Sequence, residues 1–204
     1  GSIDLQGNAN PSATAAGLGI LGHIEIIHTD PEGNILSYQQ TDNAIVNEGR
    51  NCVAMLLFGG PAHSSTGCHA QSFDGLGNFT VIGVGNGTLL SADTNINALN
   101  AELNGTNSGD GMARIAGTVT TAGFTNASAT SGATAVQRIS HAFTYTGVEA
   151  NTINQAGLFN QTDINTYYST FAAKNFPSAV TMNTNDQLTV NWDITISGSD
   201  AQGP

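Results

Sequence analysis

Alternation of apolar and polar residues is the dominant pattern in this chain of 204 residues. The clearest case is the stretch LTVNWDITIS, which carries Leu188, Val190, Trp192, Ile194 and Ile196 on one face. Threonine, asparagine and aspartate fill the positions between them. A period of two residues is typical of a strand with one buried face. We therefore predict a half-buried strand near the C-terminus, with the tryptophan facing inward.

A hairpin is predicted in HIEIIHTDPEGNILSYQQ, where two β-rich runs flank Asp-Pro-Glu-Gly-Asn. Proline presets the φ of a turn, and glycine supplies a positive φ. His23 and His28 flank the run IEII on opposite faces of the first strand. We interpret both as solvated or hydrogen-bonded strand residues rather than metal ligands.

A second strand pair is predicted further along the chain. The run QRISHAFTYT places Ile139, Phe143 and Tyr145 on one face, together with a histidine at 141. The run ARIAGTVTT places Ile115 and Val119 around Gly117. Because the turn-rich stretch NASATSGAT separates these runs, we expect them to be antiparallel neighbours.

Two short helices are expected to interrupt the strands. NEGRNCVAMLLFGG offers Asn47 as a cap and ends in glycines at 59 and 60. SADTNINALNAEL offers Ser91 or Asp93 as a cap, with leucines at 99 and 103 about one turn apart. Both helices are expected to lie on the sheets.

These elements predict an all-β fold: an antiparallel sandwich of Greek-key or jelly-roll type, with the two short helices. The stretch INQAGLFNQT, with Gly157 between apolar neighbours, is expected to belong to its core. We predict one sandwich domain over residues 22–204, preceded by an extended arm over residues 1–21.

The predicted arm is rich in small residues, has no aromatic residue and carries spaced apolar anchors. The anchors are Ile3, Leu5, Leu18 and Ile20. Such a segment suits insertion as a strand into a neighbouring subunit, where backbone hydrogen bonds supply affinity. It would also cover an exposed sheet edge. The alternatives are packing of the arm on its own domain or a frayed terminus.

Composition narrows the classes of partner. Only 9% of the residues are charged, and 15 acidic residues against 4 Lys+Arg give a formal charge of −11. So few cations disfavour binding to nucleic acid or to an anionic membrane surface. No apolar run reaches the roughly 18 residues of a membrane span. The start at Gly1 suggests either a processed secreted form or a cloning remnant, and we favour secretion.

Cys52 and Cys68 are predicted to form a disulfide in an oxidising compartment. Free thiols are the first alternative, and a zinc site that adds His63 and His69 is the second. The spacing matches no paired-ligand zinc motif. We predict no metal site, although oxygen-rich turns such as those in DTNINALNAELNGTNSGDG can hold Ca²⁺, and that question stays open.

Five Asn-x-Ser/Thr sequons mark candidate glycosylation sites, and chance occurrence in an Asn- and Thr-rich chain is the competing explanation. They start at Asn78, Asn86, Asn104, Asn126 and Asn160.

Enzymatic motifs receive little support. VIGVGNGT superficially resembles a phosphate-binding turn, but the βαβ unit and the lysine that such a turn requires are missing, which favours a glycine-rich β-turn. Gly-x-Ser-x-Gly is absent. A glycosidase pair such as Asp93 and Glu102 lacks an aromatic-rich cleft visible in the sequence. We predict that the protein is not an enzyme and has no cofactor.

Positions 81–198 resemble a β-sandwich family of bacteriophage and viral particle proteins and archaeal surface proteins. The resemblance rests on VIGVGNGT, ARIAGTVTT, ISHAFTYTG, TINQAGLFN and FPSAVTMNTNDQLTVNWDITISG in this order. Within it, Gly83, Gly85, Gly87 and Thr88 resemble the family's glycine-rich turn, and residues 157–160 resemble the part of its Ala-Gly-Leu-Phe element that follows the alanine. The final strand of the family resembles residues 188–196. The hairpin followed by TDNAIVNEGRNCVAMLLFG is similar to secreted archaeal proteins, including pilus subunits built by donor-strand exchange.

This resemblance implies an extracellular, cell-surface filament subunit that polymerises with copies of itself through its N-terminal arm. The alternatives are a virion tail or capsid-decoration protein, and an extracellular carbohydrate-binding or adhesion module.

Overall fold

The computed structural model describes residues 18–43, 45, 78–89, 98–103, 110–125, 134–164 and 170–198. These residues contain nine strands and no helix. The strands are β1 (Leu18–Thr29), β2 (Ile35–Asn43), β3 (Val81–Gly85), β4 (Ile115–Ala116), β5 (Thr118–Thr125), β6 (Thr134–Thr144), β7 (Asn151–Phe159), β8 (Thr170–Met182) and β9 (Gln187–Gly198).

Two antiparallel sheets face each other in a sandwich-like arrangement. The five-stranded sheet has the order β2-β1-β9-β6-β5, and the four-stranded sheet has the order β4-β3-β7-β8. The predicted all-β, antiparallel class is therefore confirmed. Both sheets contribute to one apolar core, in which Ile24, Phe143 and Trp192 of the first sheet meet Ile82 and Leu158 of the second. Burial of each such side chain contributes roughly 1.5–3 kcal/mol.

The predicted hairpin is confirmed as β1 and β2. Its turn is closed by the amide of Gly33, which donates to the carbonyl of Asp30 at 3.0 Å. The backbone amide of Asn34 donates to the Asp30 carboxylate at 2.8 Å. Gly33 has a φ of 87°, a conformation that glycine adopts without steric cost. Gly33 therefore takes the positive φ that the sequence predicts for the turn, and the two strands pair in antiparallel order.

The last strand of the described chain is a central strand. β9 pairs with β1 from Thr29↔Gln187 to Leu18↔Gly198 and with β6 on its other side. The predicted alternation in β9 is confirmed, because Leu188, Val190 and Trp192 are fully buried in the core. Ile196 lies at the end of the strand and is 41% exposed.

β4 and β5 carry the chain from one sheet to the other through Gly117. β5 pairs with β6 as predicted. On this run Ile115 is 42% and Val119 48% exposed. The change of sheet explains this: each residue lies on an edge strand, beside the crossing point. A Cβ on Gly117 would lie 2.8 Å from Ile139 Cγ2, so the crossing itself is tightly packed.

The opposite side of the sandwich is joined by contacts between β2 and β8. Residues 176–179 of β8 leave the pairing with β7. In that segment the amide of Ser178 donates to Gln39 Oε1 of β2 at 2.7 Å. Beyond β2, Ile45 forms an isolated bridge with Ala172 of β8. β2 and β8 are thereby held together across the gap between the sheets.

The outer face of the four-stranded sheet is covered by residues 98–103. These residues form a turn and a bridge to Gly85 instead of the end of the helix predicted over 91–103. Leu99 packs with Val81 and Phe159 in a second apolar cluster, whereas Leu103 joins the main core. Two leucines that point into different clusters suit a turn better than one helical face. The other predicted helix, over 47–59, lies outside the described residues.

The close packing of residues 98–103 on the sheet explains why residue 157 is a glycine. A Cβ at that position would lie 2.6 Å from the Phe159 ring and 3.2 Å from Leu99 Cδ2. The Ala-Gly-Leu-Phe stretch is part of β7 and is buried from Ala156 to Phe159. The glycine allows the covering segment to approach the sheet, and the core placement predicted for this stretch is confirmed.

Candidate functional site

The predicted arm is only partly within the described residues. Leu18 and Ile20 lie in β1, opposite Gly198 and Ile196 of β9 in the same chain. Ile20 also packs against the main core. The predicted boundary between arm and domain, at residues 21 and 22, therefore falls inside a strand. Ile3 and Leu5 lie outside the described residues.

Several other predicted site residues also lie outside the described part of the chain: Cys52, His63, Cys68, His69, Asp93, Asn104 and Asn126. Among the remaining sequons, Asn78 and Asn86 are exposed on either side of β3. Asn160 is half-buried at the end of β7. Asn78 and Asn86 are thus accessible for modification.

The outer edge of β5 is the first candidate site. In the described part of the chain no strand pairs with this edge. The sequence of β5, TVTTAGFT, has no charged residue and no proline, and residues 118–121 are all exposed. Edge strands are usually protected by charge, proline, bulges or a covering segment. Among the described residues, the one such protection of β5 is a bulge between Thr121 and Gly123, which leaves the backbone of its first half without a described partner strand.

The other edges in the described structure are less open. β8 is bridged by Ile45, and residues 100–103 bond to the edge of β3 beyond β4. The β2 edge is held against β8 by Gln39 and carries the exposed charge of Asp42. The sequence pattern predicts that β5 and β6 pair, but it does not predict that β5 is an edge strand. An apolar pattern does not reveal whether a strand has a second neighbour.

A polar network on the outer face of the five-stranded sheet is the second candidate. Arg138 makes a two-pronged contact with Asp193, at 2.7 and 2.6 Å, and a longer one with Glu25 at 3.2 Å. Tyr38 donates to Glu25 at 3.0 Å, and the Asn191 amide donates to Glu25 at 3.2 Å. The hydrogen bond with Asp193 raises the pKa of Arg138, and that with Glu25 raises the pKa of Tyr38.

The sequence pattern does not predict this network. Its members lie on four strands, and the Asn191–Glu25 pair is 166 residues apart in sequence. The available signal was the presence of charges at the outward positions of alternating strands, in a chain with 9% charged residues. That signal marks the face but not the pairing.

A buried ion pair stabilises the cover of the four-stranded sheet. Arg114 donates from Nε to Glu102 Oε1 and from Nη2 to Oε2, the second at 2.8 Å. Its guanidinium carbon lies 3.4 Å from the centre of the Phe159 ring. Both charged side chains are almost completely buried. Glu102, which the sequence offered as one member of a glycosidase pair, is therefore held in a buried ion pair that stabilises the fold.

A buried histidine–aspartate pair lies at the turn end of the sandwich. His28 Nε2 lies 2.9 Å from Asp186 Oδ2. Asp186 also accepts from the amide of Asn183 at 2.9 Å. Ser37 is opposite His28 in the hairpin, and its buried Oγ has no hydrogen-bond partner among the residues that the structure describes. Ser37 and His28 therefore do not form the hydroxyl-to-imidazole bond that activates a catalytic serine. His23, on the other face, bonds to Asp42 at 3.0 Å.

Within the described ranges, no group of three or more His, Cys, Asp or Glu side chains could hold a metal ion. No helix in that part of the chain is long and apolar enough to cross a membrane. No protein-family model, curated protein or solved structure matches this chain.

Proposed function

We propose that this protein is a structural subunit of an extracellular, cell-surface filament of the pilus type, of archaeal origin, and not an enzyme. The N-terminal arm of one copy adds as a strand to the sheet of the next copy, so its partner is itself. The observation that carries the proposal is the β5 edge, which is uncharged, exposed and unpaired in the described structure. Strand addition needs this kind of surface, because the backbone of an open edge supplies the hydrogen bonds.

Two features of the described fold are compatible with this function. Successive strand pairs alternate between the sheets, and β9 returns to lie beside β1, which we interpret as a Greek-key arrangement. Asn78 and Asn86 present sequons on an accessible surface, and we propose that the secreted subunit carries glycans there.

The test begins with electron microscopy of the purified full-length chain. Thin fibres with a regular subunit repeat support the proposal, and the double substitution Ile3→Asp, Leu5→Asp should then abolish them. Charged residues at both anchors prevent the arm from burying its apolar face but leave the described sandwich unchanged. Fibres that persist in this variant would contradict strand donation. Closed shells or rings would favour the virion alternative.

A carbohydrate-binding or adhesion role is the second candidate, and one observation favours it. Tyr38 is 51% exposed beside the outer polar network, with its hydroxyl held by Glu25 and Gln40. An oriented aromatic ring next to amide and carboxylate groups suits a sugar face. Glycan-array binding that is lost in Tyr38→Ala, in a chain that forms no filament, would favour this role over the first.

A further inference from the structure

We propose that the acceptor for the donated strand is the outer edge of β5, and that its occupant is the segment around Ile3 and Leu5 of a second copy of this chain. This inference rests on the proposed filament function and deepens it by assigning the receiving edge. Leu18 and Ile20 are already paired with β9 of their own chain. The other two apolar anchors, Ile3 and Leu5, lie outside the described residues, and we assign the donated strand to them.

The two faces of β5 differ in chemistry. Val119 and Thr121 lie opposite Ile139 and Gln137 of β6, on the side of the sheet that faces the core. Thr118 and Thr120 lie on the other side, next to Ser140 and Arg138. Val119 is 48% exposed, and no strand of the described ranges flanks it at the edge. An incoming strand would therefore meet an apolar position on the core side and hydroxyl groups on the outer side.

The sequence of the arm matches these two faces. Ile3 and Leu5 are two residues apart and would share one face of a strand, while Ser2, Asp4 and Gln6 would share the other. Beside β5, the two apolar side chains would extend the core-side row that contains Val119. The polar side chains would join the threonines on the outer side. A strand shifted by one residue would reverse both matches, so the pattern also selects the register.

Charge favours β5 over the β2 edge. Asp42 of β2 is an exposed carboxylate that would repel Asp4 of an incoming arm, whereas β5 has no charge. Part of β2 is also occupied by its contact with Ser178. Leu36 of β2, which is 53% exposed, provides an apolar control on the other edge of the sheet.

The first experiment compares Val119→Lys with Leu36→Lys in the full-length chain. Lysine on an exposed edge strand is tolerated by the monomer but opposes pairing. We expect Val119→Lys to reduce assembly roughly tenfold or more in sedimentation and light scattering. We expect Leu36→Lys to assemble like the unmodified chain, and both variants to keep the circular dichroism spectrum and melting temperature of the parent. The opposite result would assign the β2 edge and overturn the proposal.

The second experiment identifies the occupant. Chains with Ile3→Cys are mixed with chains with Val119→Cys and oxidised after assembly, with each chain alone as the control for the native cysteines. A new disulfide between the two chains supports donation by a second copy at β5. A double variant that cross-links only within its own chain, at high dilution, would show that the arm packs on its own domain and would overturn the proposal.

The two levels of the hypothesis can fail separately. If filaments form and are lost in the Ile3→Asp, Leu5→Asp variant but persist in Val119→Lys, strand donation stands and the β5 assignment is wrong. If the Ile3→Asp, Leu5→Asp variant assembles normally, the filament mechanism itself is wrong.

Discussion

A single charged side chain can hold several groups of the core together, as Arg114 does. Its guanidinium is held by Glu102 and lies on the ring of Phe159, in a chain with only 4 Lys+Arg. A buried charge is costly when its partner is removed, whereas exchange of the whole pair for apolar residues can be nearly neutral.

We therefore predict that Glu102→Gln lowers the free energy of unfolding by roughly 3–5 kcal/mol. The double variant Glu102→Leu, Arg114→Met should cost less than this single substitution. Urea denaturation of the single and double variants measures the difference. A double variant that is less stable than Glu102→Gln would show that the pair contributes net stability.

Gly157 provides a second test at the scale of one residue. The Cβ added by Gly157→Ala would lie 2.6 Å from the buried Phe159 ring, on which Arg114 is stacked. Because the ring has little room to move, we expect a loss of roughly 1–3 kcal/mol in urea denaturation. Val148→Ala, at a position that is 90% exposed, is the control. Equal stabilities for the two variants would contradict the tight packing described here.

His141 should make stability depend on pH. The side chain is half-buried, with its ring edge-to-face on Phe143 at 4.7 Å, and burial lowers its pKa below 6.5. The unfolded chain then binds its proton first as the pH falls, so the folded state loses stability below about pH 6.5. We expect His141→Gln to remove this part of the acid sensitivity. Urea denaturation near neutral and at mildly acidic pH measures the free energy of unfolding of both proteins. This free energy should fall less with decreasing pH in His141→Gln, and an equal fall in both proteins would contradict the prediction.

Among the strands, those with strict alternation could be predicted from sequence. The β1–β2 hairpin, the buried face of β9 and the β5–β6 pair all follow from a period of two residues and from turn residues. The exposure of Ile115 and Val119 could not be predicted, because alternation gives the face of a strand but not its distance from the edge. The central position of β9 was also not predictable, since its partners β1 and β6 lie far from it in sequence.

The candidate site also combines features that the sequence predicts with features that only the structure shows. The apolar anchors of the arm and the uncharged sequence of β5 can be read directly. The fact that β5 is an edge requires the order of the strands. The pairing of Arg138 with Asp193 and Glu25 requires the register between three strands.

The passage from β4 to β5 gives a prediction at the scale of the element. Gly117→Ala would place a Cβ 2.8 Å from Ile139 Cγ2 and 3.0 Å from the carbonyl oxygen of Ser140. Since backbone cannot move aside as a flexible side chain can, we expect a cost of roughly 1–3 kcal/mol. Thr118→Ala, at the next and exposed position, should change stability by less than about 0.5 kcal/mol. Chemical denaturation of both variants measures the contrast, and a neutral Gly117→Ala would mean that the crossing is loosely packed.

At the scale of the whole molecule, charge should oppose assembly. Each copy carries a formal charge of −11, so two copies would repel one another in the proposed filament. Salt screens this repulsion, with a Debye length of about 10 Å at 0.1 M. We expect assembly of the full-length chain, followed by light scattering, to become faster as sodium chloride is raised toward physiological ionic strength. Slower assembly in salt would indicate that attractive ion pairs dominate the contact between copies.

The position of β9 has a consequence for biosynthesis. A ribosome makes β1 and β2 early and β5 and β6 midway, but the strand that unites these two hairpins is the last strand of the described chain. A nascent chain that has not reached residue 187 therefore cannot close its larger sheet. Such a chain would leave the edges of β1 and β6 that face each other unpaired with β9 until residues 187–198 have been made.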